Sequence, residues 1–290
     1  MTDIVATPPP STRLSAWSLL LANRLAAAGF FILSALVLLA LLAPVLPLPD
    51  PDVTAQADRL KPVLTPGHLL GTDHLGRDVL SRLIWGTQTS LLVGISATAL
   101  AAIFGSLIGL VAGYARGIVD EAIMRVMDAL LSFPSVLLAL GIMAALGPGI
   151  TTIIIAIAIA DMPMFARITR SQVLSVRERD FVIATRALGA GPLRIIFRHI
   201  VPHITGPVAV MATIAVGHAI LTEAALSFLG LGIQPPTSSW GAMMRNGFSY
   251  MERAPWLSVF TGLAILVTVL ALNLVGDALR DRQDPRRVPN

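Results

Sequence analysis

The chain has 290 residues, of which 55% are apolar and only 13% are charged, and its formal net charge is +4. Soluble domains carry about 25% charged residues, so this composition predicts an integral membrane protein. There is no cysteine, which excludes disulfides and thiolate-bound metals. The basic balance is no argument for nucleic-acid binding, because most arginines fall in the connections between apolar stretches, as in membrane proteins.

Six stretches approach the roughly 20 apolar residues that a helix needs to cross a hydrocarbon core about 30 Å thick. The predicted spans are residues 25–46, 91–115, 123–145, 150–165, 205–231 and 257–275. When the amino terminus is placed inside, most basic residues fall in the connections on the cytoplasmic side of these spans. The sequence therefore predicts an all-α protein of six transmembrane helices with both termini in the cytoplasm.

The first span is predicted to be a helix separated from the other five by a long connection. It follows a proline-rich tail at residues 1–24, which is predicted to be cytoplasmic. A cleavable signal peptide is the alternative, but the apolar run exceeds the roughly 7 to 15 residues of a signal core and no clear cleavage site follows. Residues 47–87 predict an external connection. Its last part has apolar residues at helical spacing, which predicts a helix along the membrane surface with Trp85 at the interface. Asp78 and Arg82 are spaced to form an ion pair on it.

Residues 88–277 predict one compact membrane domain of five helices, followed by a cytoplasmic tail at residues 278–290. Within the domain, residues 178–202 interrupt the apolar pattern with an arginine-rich helix, a break and a second helix. Gly189 is suited to end the first helix in a left-handed conformation, and Pro192 to begin the second. The small side chains before Gly189 would let a partner approach closely. We therefore interpret this segment, called the elbow below, as a docking surface, although its arginines would also satisfy lipid headgroups.

Acidic residues inside spans are costly and are functional hypotheses by default. For Asp128 and Asp161, structural pairing with Arg125 and Arg167, respectively, is the favoured interpretation.

Glu223 is placed deeper, one turn beyond His218 and Thr222. These three residues are the candidates for lining a polar path through the membrane, with a bond from Glu223 to a neighbouring helix as an equal alternative. At the end of the elbow, His199 and the following His203 are interpreted as polar residues at the membrane boundary.

The external connection also holds side chains of the types that bind metals, namely His68, Asp73, His74 and Asp78. Their spacing matches no specific metal site, so no metal is predicted.

Five strings, in order, resemble the second permease subunit of bacterial dipeptide, oligopeptide and nickel ABC importers. They are HLLGTDHLGRDVLSRLIWGTQTSLLVG, AGYARGIVDEAIMRVMDALLSFPSVLLAL, the elbow, EAALSFLGLGIQPPTSSWG and NLVGDALRDRQDP. Together they cover nearly all of the chain from His68 to Pro285. The resemblance implies the type I ABC importer permease fold in the bacterial inner membrane.

In that family the elbow is the EAA loop, which couples the permease to its ATPases. Ile183, Ala184 and Thr185 occupy the places of Glu-Ala-Ala, so the glutamate is absent and the second alanine is threonine. The coupling residues that the resemblance implies are Ile183, Ala184, Thr185, Arg186, Ala187, Leu188, Gly189, Ala190, Gly191 and Pro192, and the motif ends at His199, Val201 and Pro202.

The resemblance further implies a second homologous permease, two ATP-binding subunits and an extracytoplasmic solute-binding protein. The only lysine, Lys61, lies outside any phosphate-binding loop motif, so ATP and magnesium are expected on the partner ATPases and no cofactor on this chain. Di- or oligopeptides are the favoured cargo, and nickel or another small solute is the alternative. A proton-coupled secondary transporter and an intramembrane aspartyl protease are the hypotheses from other classes. The latter would use Asp128 and Asp161, but no motif supports it.

Overall fold

A computed structural model describes residues 24–283, which fold into α-helices joined by short connections, except for the long external connection at residues 43–78. The predicted tail before Arg24 and the residues after Gln283 lie outside the described part. The helices are α1 (Arg24–Leu42), α2 (Val79–Ala115), α3 (Gly117–Leu131), α4 (Ser135–Leu146), α5 (Ile150–Arg177), α6 (Asp180–Ala187), α7 (Pro192–Phe228), α8 (Trp240–Phe248) and α9 (Trp256–Gln283). A turn of π-helix, Ile196–Ile200, lies near the start of α7.

Five helices within the described range are long and apolar enough to cross a membrane, namely α1, α2, α5, α7 and α9. The predicted third span, residues 123–145, is instead two helices, α3 and α4, bent by 89°. Pro134 explains the break, because proline lacks the backbone N–H and disfavours the helical conformation of the residue before it. The all-helical membrane architecture is confirmed, with six spans if the bent pair crosses as one.

Three helix boundaries differ from the prediction. The expected surface helix is wrong, since α2 runs unbroken from Val79 through the second span to Ala115. Helix α5 continues to Arg177, well past residue 165, and α7 begins at Pro192 rather than at residue 205. Apolar length alone marks where a helix leaves the hydrocarbon, whereas backbone hydrogen bonds continue into the polar regions.

The external connection is fixed to the start of α2 by polar contacts. Asp78 caps the helix, accepting a hydrogen bond from the Ser81 amide at 2.7 Å. The Arg82 guanidinium donates to the Pro51 carbonyl at 2.8 Å and to Asp52 Oδ1 at 3.0 Å. The predicted pair of Asp78 with Arg82 is therefore wrong, because the capping residue directs its carboxylate to the free amides of the first turn.

Helices α2 and α5 run side by side in the same direction and approach closely at glycines. A Cβ added to Gly109 would lie 2.2 Å from the Ala166 carbonyl oxygen, and one added to Gly105 would lie 2.5 Å from that of Met162. Nearer the start of α2, Gly94 gives room to Ile220 of α7. Small residues that allow such approaches favour helix packing in lipid. Helix α2 is thus the central element against which α5 and α7 pack.

Candidate functional site

The elbow follows directly from α5 and consists of α6, a tight turn and the first turns of α7. The turn forms a Schellman motif, in which the Ala190 amide donates to the Thr185 carbonyl at 3.3 Å and the Gly189 amide donates to the Arg186 carbonyl at 3.0 Å. Gly189 adopts φ +82°, the left-handed conformation that glycine tolerates best. Pro192 is the first residue of α7. The predicted helix, glycine-proline break and helix are confirmed.

The inner face of the elbow is anchored to the rest of the protein. Val182, Ile195 and Ile200 are buried and pack with Val173 and Val176 of α5 in one hydrophobic cluster. Burying such a side chain contributes about 1.5–3 kcal/mol, so the cluster holds α6 and the first turns of α7 against α5.

The last turn of α5 is also tied to the end of α2. The Arg177 guanidinium donates to the carbonyls of Gly113 and Tyr114 at 3.1 and 2.7 Å, and Arg116 forms an ion pair with Glu178. The elbow is therefore attached to two long helices and does not hang as a free loop.

The outer face of the elbow exposes large apolar side chains. Leu188 is 88% exposed, Leu193 70% and Phe197 67%. Ala184 and Arg186 are exposed beside them. Exposed apolar side chains grouped on a segment that is predicted to face the cytoplasm are candidates for an interaction site. On the neighbouring side the Phe181 ring stacks on His203, with centroids 5.2 Å apart.

The two predicted ion pairs of the acidic span residues are wrong. Asp128 of α3 bonds Arg167 of α5 at 2.6 Å, while Arg125 bonds Glu121 at 2.7 Å, one turn earlier on its own helix. Arg167 could not have served Asp161, because residues six apart point to different sides of a helix.

Asp161 instead faces His218 of α7, with 3.5 Å between Oδ1 and Nδ1. The carboxylate is 10% exposed and the imidazole 51% exposed. This pair joins α5 and α7 inside the apolar domain. No sequence pattern indicated it, because the two residues are far apart in the chain.

Glu223 is fully buried at the centre of a hydrogen-bonded network between helices. It accepts from the hydroxyls of Ser227 at 2.7 Å and Ser90 of α2 at 3.3 Å. The same hydroxyl oxygens accept from the amides of Ile233 and Trp240, both at 3.2 Å. Glu223 thereby organises the connection between α7 and α8. The serines that surround it were missed, since serine is common in spans and carries no signal by itself.

Of the three residues predicted to line a path, one is exposed and two are buried. His218 presents half of its side chain, whereas Thr222 is 3% exposed and Glu223 is 0% exposed. In this conformation Thr222 and Glu223 lie inside the chain. The path role of all three stays a prediction.

Across residues 24–283, no cluster of three or more histidine, aspartate or glutamate side chains is arranged to hold a metal ion. The metal-type side chains of the external connection have other neighbours: His68 Nδ1 lies 3.0 Å from Asp78, and Asp73 accepts from Arg77 at 2.7 Å. The His74 ring stacks on Tyr250 at 5.3 Å. Burial lowers the pKa of His74, and the nearby arginines lower it further against the opposing effect of Asp73.

Known proteins similar to this chain are membrane permeases. Residues 105–289 match the family described as binding-protein-dependent transport system inner membrane component, and residues 12–62 match the N-terminal TM domain of oligopeptide transport permease C. The chain is 42% identical to the dipeptide transport system permease protein DppC of Alkalihalophilus pseudofirmus, over 99% of this chain and 96% of that protein. It is 45% identical to the di/tripeptide transport system permease protein DppC of Pseudomonas aeruginosa, over 96% and 93%.

A third relative is the glutathione transport system permease protein GsiD of Pectobacterium atrosepticum, 42% identical over 90% of this chain and 86% of that protein. Among solved structures, inward-facing conformations of the MetNI methionine ABC transporter contain a similar chain. The TM-score is 0.58 at 15% identity, over 70% of this chain and 97% of that chain. At this identity the similarity concerns the fold alone, which is that of a type I importer permease.

Proposed function

The chain belongs to the family of binding-protein-dependent transport system inner membrane components, and we propose that it is the permease subunit of an ATP-driven importer of di- or oligopeptides. With a second, homologous permease it forms the path through the membrane. Two separate ATP-binding subunits power the cycle, and an extracytoplasmic protein delivers the peptide. The permease binds no cofactor of its own and catalyses no reaction, since ATP and magnesium bind to the partner subunits. Both termini lie in the cytoplasm.

The elbow is the observation that carries this proposal. A rigid, anchored turn that exposes Leu188, Leu193 and Phe197 has more apolar surface than a headgroup contact requires. Each large apolar side chain that a partner buries contributes about 1.5–3 kcal/mol to docking. The exposed Ala184 leaves space beside them for close approach of the partner. An ATPase subunit that docks here moves α5 and α7 together with the elbow.

The peptide cargo is supported by the relatives. Those at 42% and 45% identity are named for dipeptides and for di- and tripeptides, and they align over nearly their whole length. A further relative is named for glutathione, which is also a peptide. Peptide is therefore preferred to nickel as the class of cargo.

The test is reconstitution of the chain into liposomes with the products of the neighbouring reading frames. We expect uptake of dipeptides that requires ATP and the solute-binding protein and that continues when the proton gradient is dissipated. Uptake that needs no ATPase and collapses with the gradient would show a secondary transporter instead.

Arg186→Glu tests the elbow within the same assay. Reversal of this exposed charge should lower peptide-stimulated ATP turnover and the co-purification of the ATPases, whereas the matched control Arg253→Glu should not. Arg253 is also exposed but lies between α8 and α9, at the opposite end of α7. Equal behaviour of both variants would remove the elbow from the coupling mechanism.

A further inference from the structure

Asp161 and His218 form an ionisable pair inside the apolar domain, and helix packing alone does not account for an ionisable pair at this place. The Asp161 residue is 8% exposed. One carboxylate oxygen faces the His218 ring at 3.5 Å, and the other, Oδ2, is buried and makes no hydrogen bond within residues 24–283. Buried polar atoms are usually hydrogen-bonded, so an orphaned carboxylate oxygen calls for a reason.

The exposed member of the pair is His218, half of whose side chain is accessible on the surface of this chain. An ionisable side chain directed at lipid is costly, so such residues face a bundle interior or a water-filled cavity. The His218 face of α7 is thus directed toward the path or the partner permease. Cargo that approaches the pair would contact the exposed His218 ring before the buried Asp161 carboxylate.

The net charge of the pair selects the kind of group it attracts. Asp161 with a neutral imidazole carries −1, and Asp161 with an imidazolium carries 0, so the pair is never positive when the carboxylate is ionised. With Nδ1 turned to Asp161, the second ring nitrogen of a neutral His218 is an acceptor. The pair therefore favours a cation that donates hydrogen bonds.

No cation of the described chain competes for this position. Arg167, the nearest arginine along α5, is engaged by Asp128 at 2.6 Å. Glu223, the acidic residue on α7, is enclosed by serine hydroxyls and has no exposed surface. Asp161 is thus the carboxylate available to a cation that reaches His218.

We propose that Asp161 and His218 form a contact site for a primary ammonium group of the peptide in transit, with His218 accepting the ammonium N–H and Asp161 supplying the negative charge behind it. The site rests on the proposed function, because it assumes that this face of α7 lines the peptide path. The ammonium is either the amino terminus or a lysine side chain, since both present the same chemistry.

The decisive variant is His218→Lys in the complete reconstituted complex. A lysine at this exposed position supplies its own ammonium to Asp161. Among Ala-Ala, Ala-Lys and Ala-Glu, uptake of every peptide whose ammonium uses the site should therefore fall about tenfold, the loss of roughly one charge-assisted hydrogen bond. Asp161→Asn should also lower uptake, while the matched control Asp128→Asn, which removes a carboxylate from the exposed pair with Arg167, should not.

If the pair has only a structural role, the opposite result is expected for His218→Lys. Lysine would then replace the histidine as partner of Asp161, and His218→Lys would transport at the wild-type rate while His218→Asp would fail. That result would overturn the site. Assembly and basal ATP turnover are measured in parallel, and the half-exposed position makes folding of both His218 variants expected.

The three peptides identify the source of the ammonium. If the ratio of Ala-Lys to Ala-Glu uptake falls in Asp161→Asn, the site takes a side-chain ammonium. If all three rates fall together in Asp161→Asn and His218→Lys, the site takes the amino terminus. A wild-type complex that transports none of the peptides would refute the proposed function itself, whereas wild-type transport with full activity of His218→Lys would refute the site alone.

Discussion

Replacement of Gly189 by alanine should weaken docking of the ATPases through the backbone alone. Gly189 adopts φ +82°, and a Cβ built there meets no atom within 4 Å. Steric contact therefore adds nothing, and the cost is that of a left-handed non-glycine residue, about 1–2 kcal/mol. If only the intact turn docks, this strain lowers the docked population by a factor of about 5–30. That factor is an upper limit, because the buried anchor of the elbow helps to keep the native turn in the variant.

The matched control is Gly191→Ala, two residues away. Gly191 also has no atom within 4 Å of a built Cβ, but its φ is −69°, which alanine adopts freely. This change should be neutral or stabilise the elbow by about 0.4–1 kcal/mol through the unfolded state. The assay is the apparent Kd of the purified permease pair for the ATPase subunits, together with peptide-stimulated ATP turnover. The reasoning would be refuted by equal Kd values for the two alanine variants.

Three further predictions concern the helix packing and the external connection. Ser90→Ala leaves a buried amide and a buried carboxylate without their shared hydroxyl, so the variant should lose about 1–3 kcal/mol of stability in thermal unfolding, while Ser171→Ala, on an exposed serine, should lose little. Gly109→Ala places a Cβ 2.2 Å from a carbonyl oxygen of α5 and should lower Tm, whereas Gly141→Ala, with no atom within 4 Å and in the interior of α4, should leave Tm unchanged or raise it. Because the pKa of His74 is held below its ordinary value of 6.5, the unfolded chain binds more protons, so stability is full above pH 6.5 and declines as the pH falls below it; His74→Gln should flatten this part of the Tm–pH curve.

Features that depend on local chemistry were predictable from the sequence. The long spans follow from apolar length, and the elbow follows from Gly189 and Pro192, whose backbone preferences act within a few residues. Pro134 also indicated a break in the helix, but the apolar composition on both sides of it favoured one continuous span. The family resemblance rested on these same local strings.

Side-chain partners could not be predicted from spacing along the chain, since neither Asp78 with Arg82 nor Asp128 with Arg125 forms the expected pair. Asp128 was assigned to Arg125 by proximity in sequence, but the rotation of α3 turns Asp128 toward α5 and Arg167. Asp161 meets His218 because α5 and α7 pack together, which no periodicity encodes. The identity of a partner across helices depends on helix rotation and depth, and these are set by packing throughout the domain.

The elbow and the Asp161–His218 pair belong to one mechanical unit. The elbow joins α5 to α7, and these two helices carry the two members of the pair. From Asp161 to the end of α5 at Arg177 the distance is about 24 Å along the axis, at 1.5 Å per residue. Pro163 removes one backbone hydrogen bond within that stretch, two residues from Asp161, so α5 bends most easily there. Most of the α5 residues that contact glycines of α2, such as Ala166 and Val173, lie between Pro163 and the elbow. A displacement of the elbow therefore acts on these contacts as well as on the separation of the Asp161 carboxylate and the His218 imidazole.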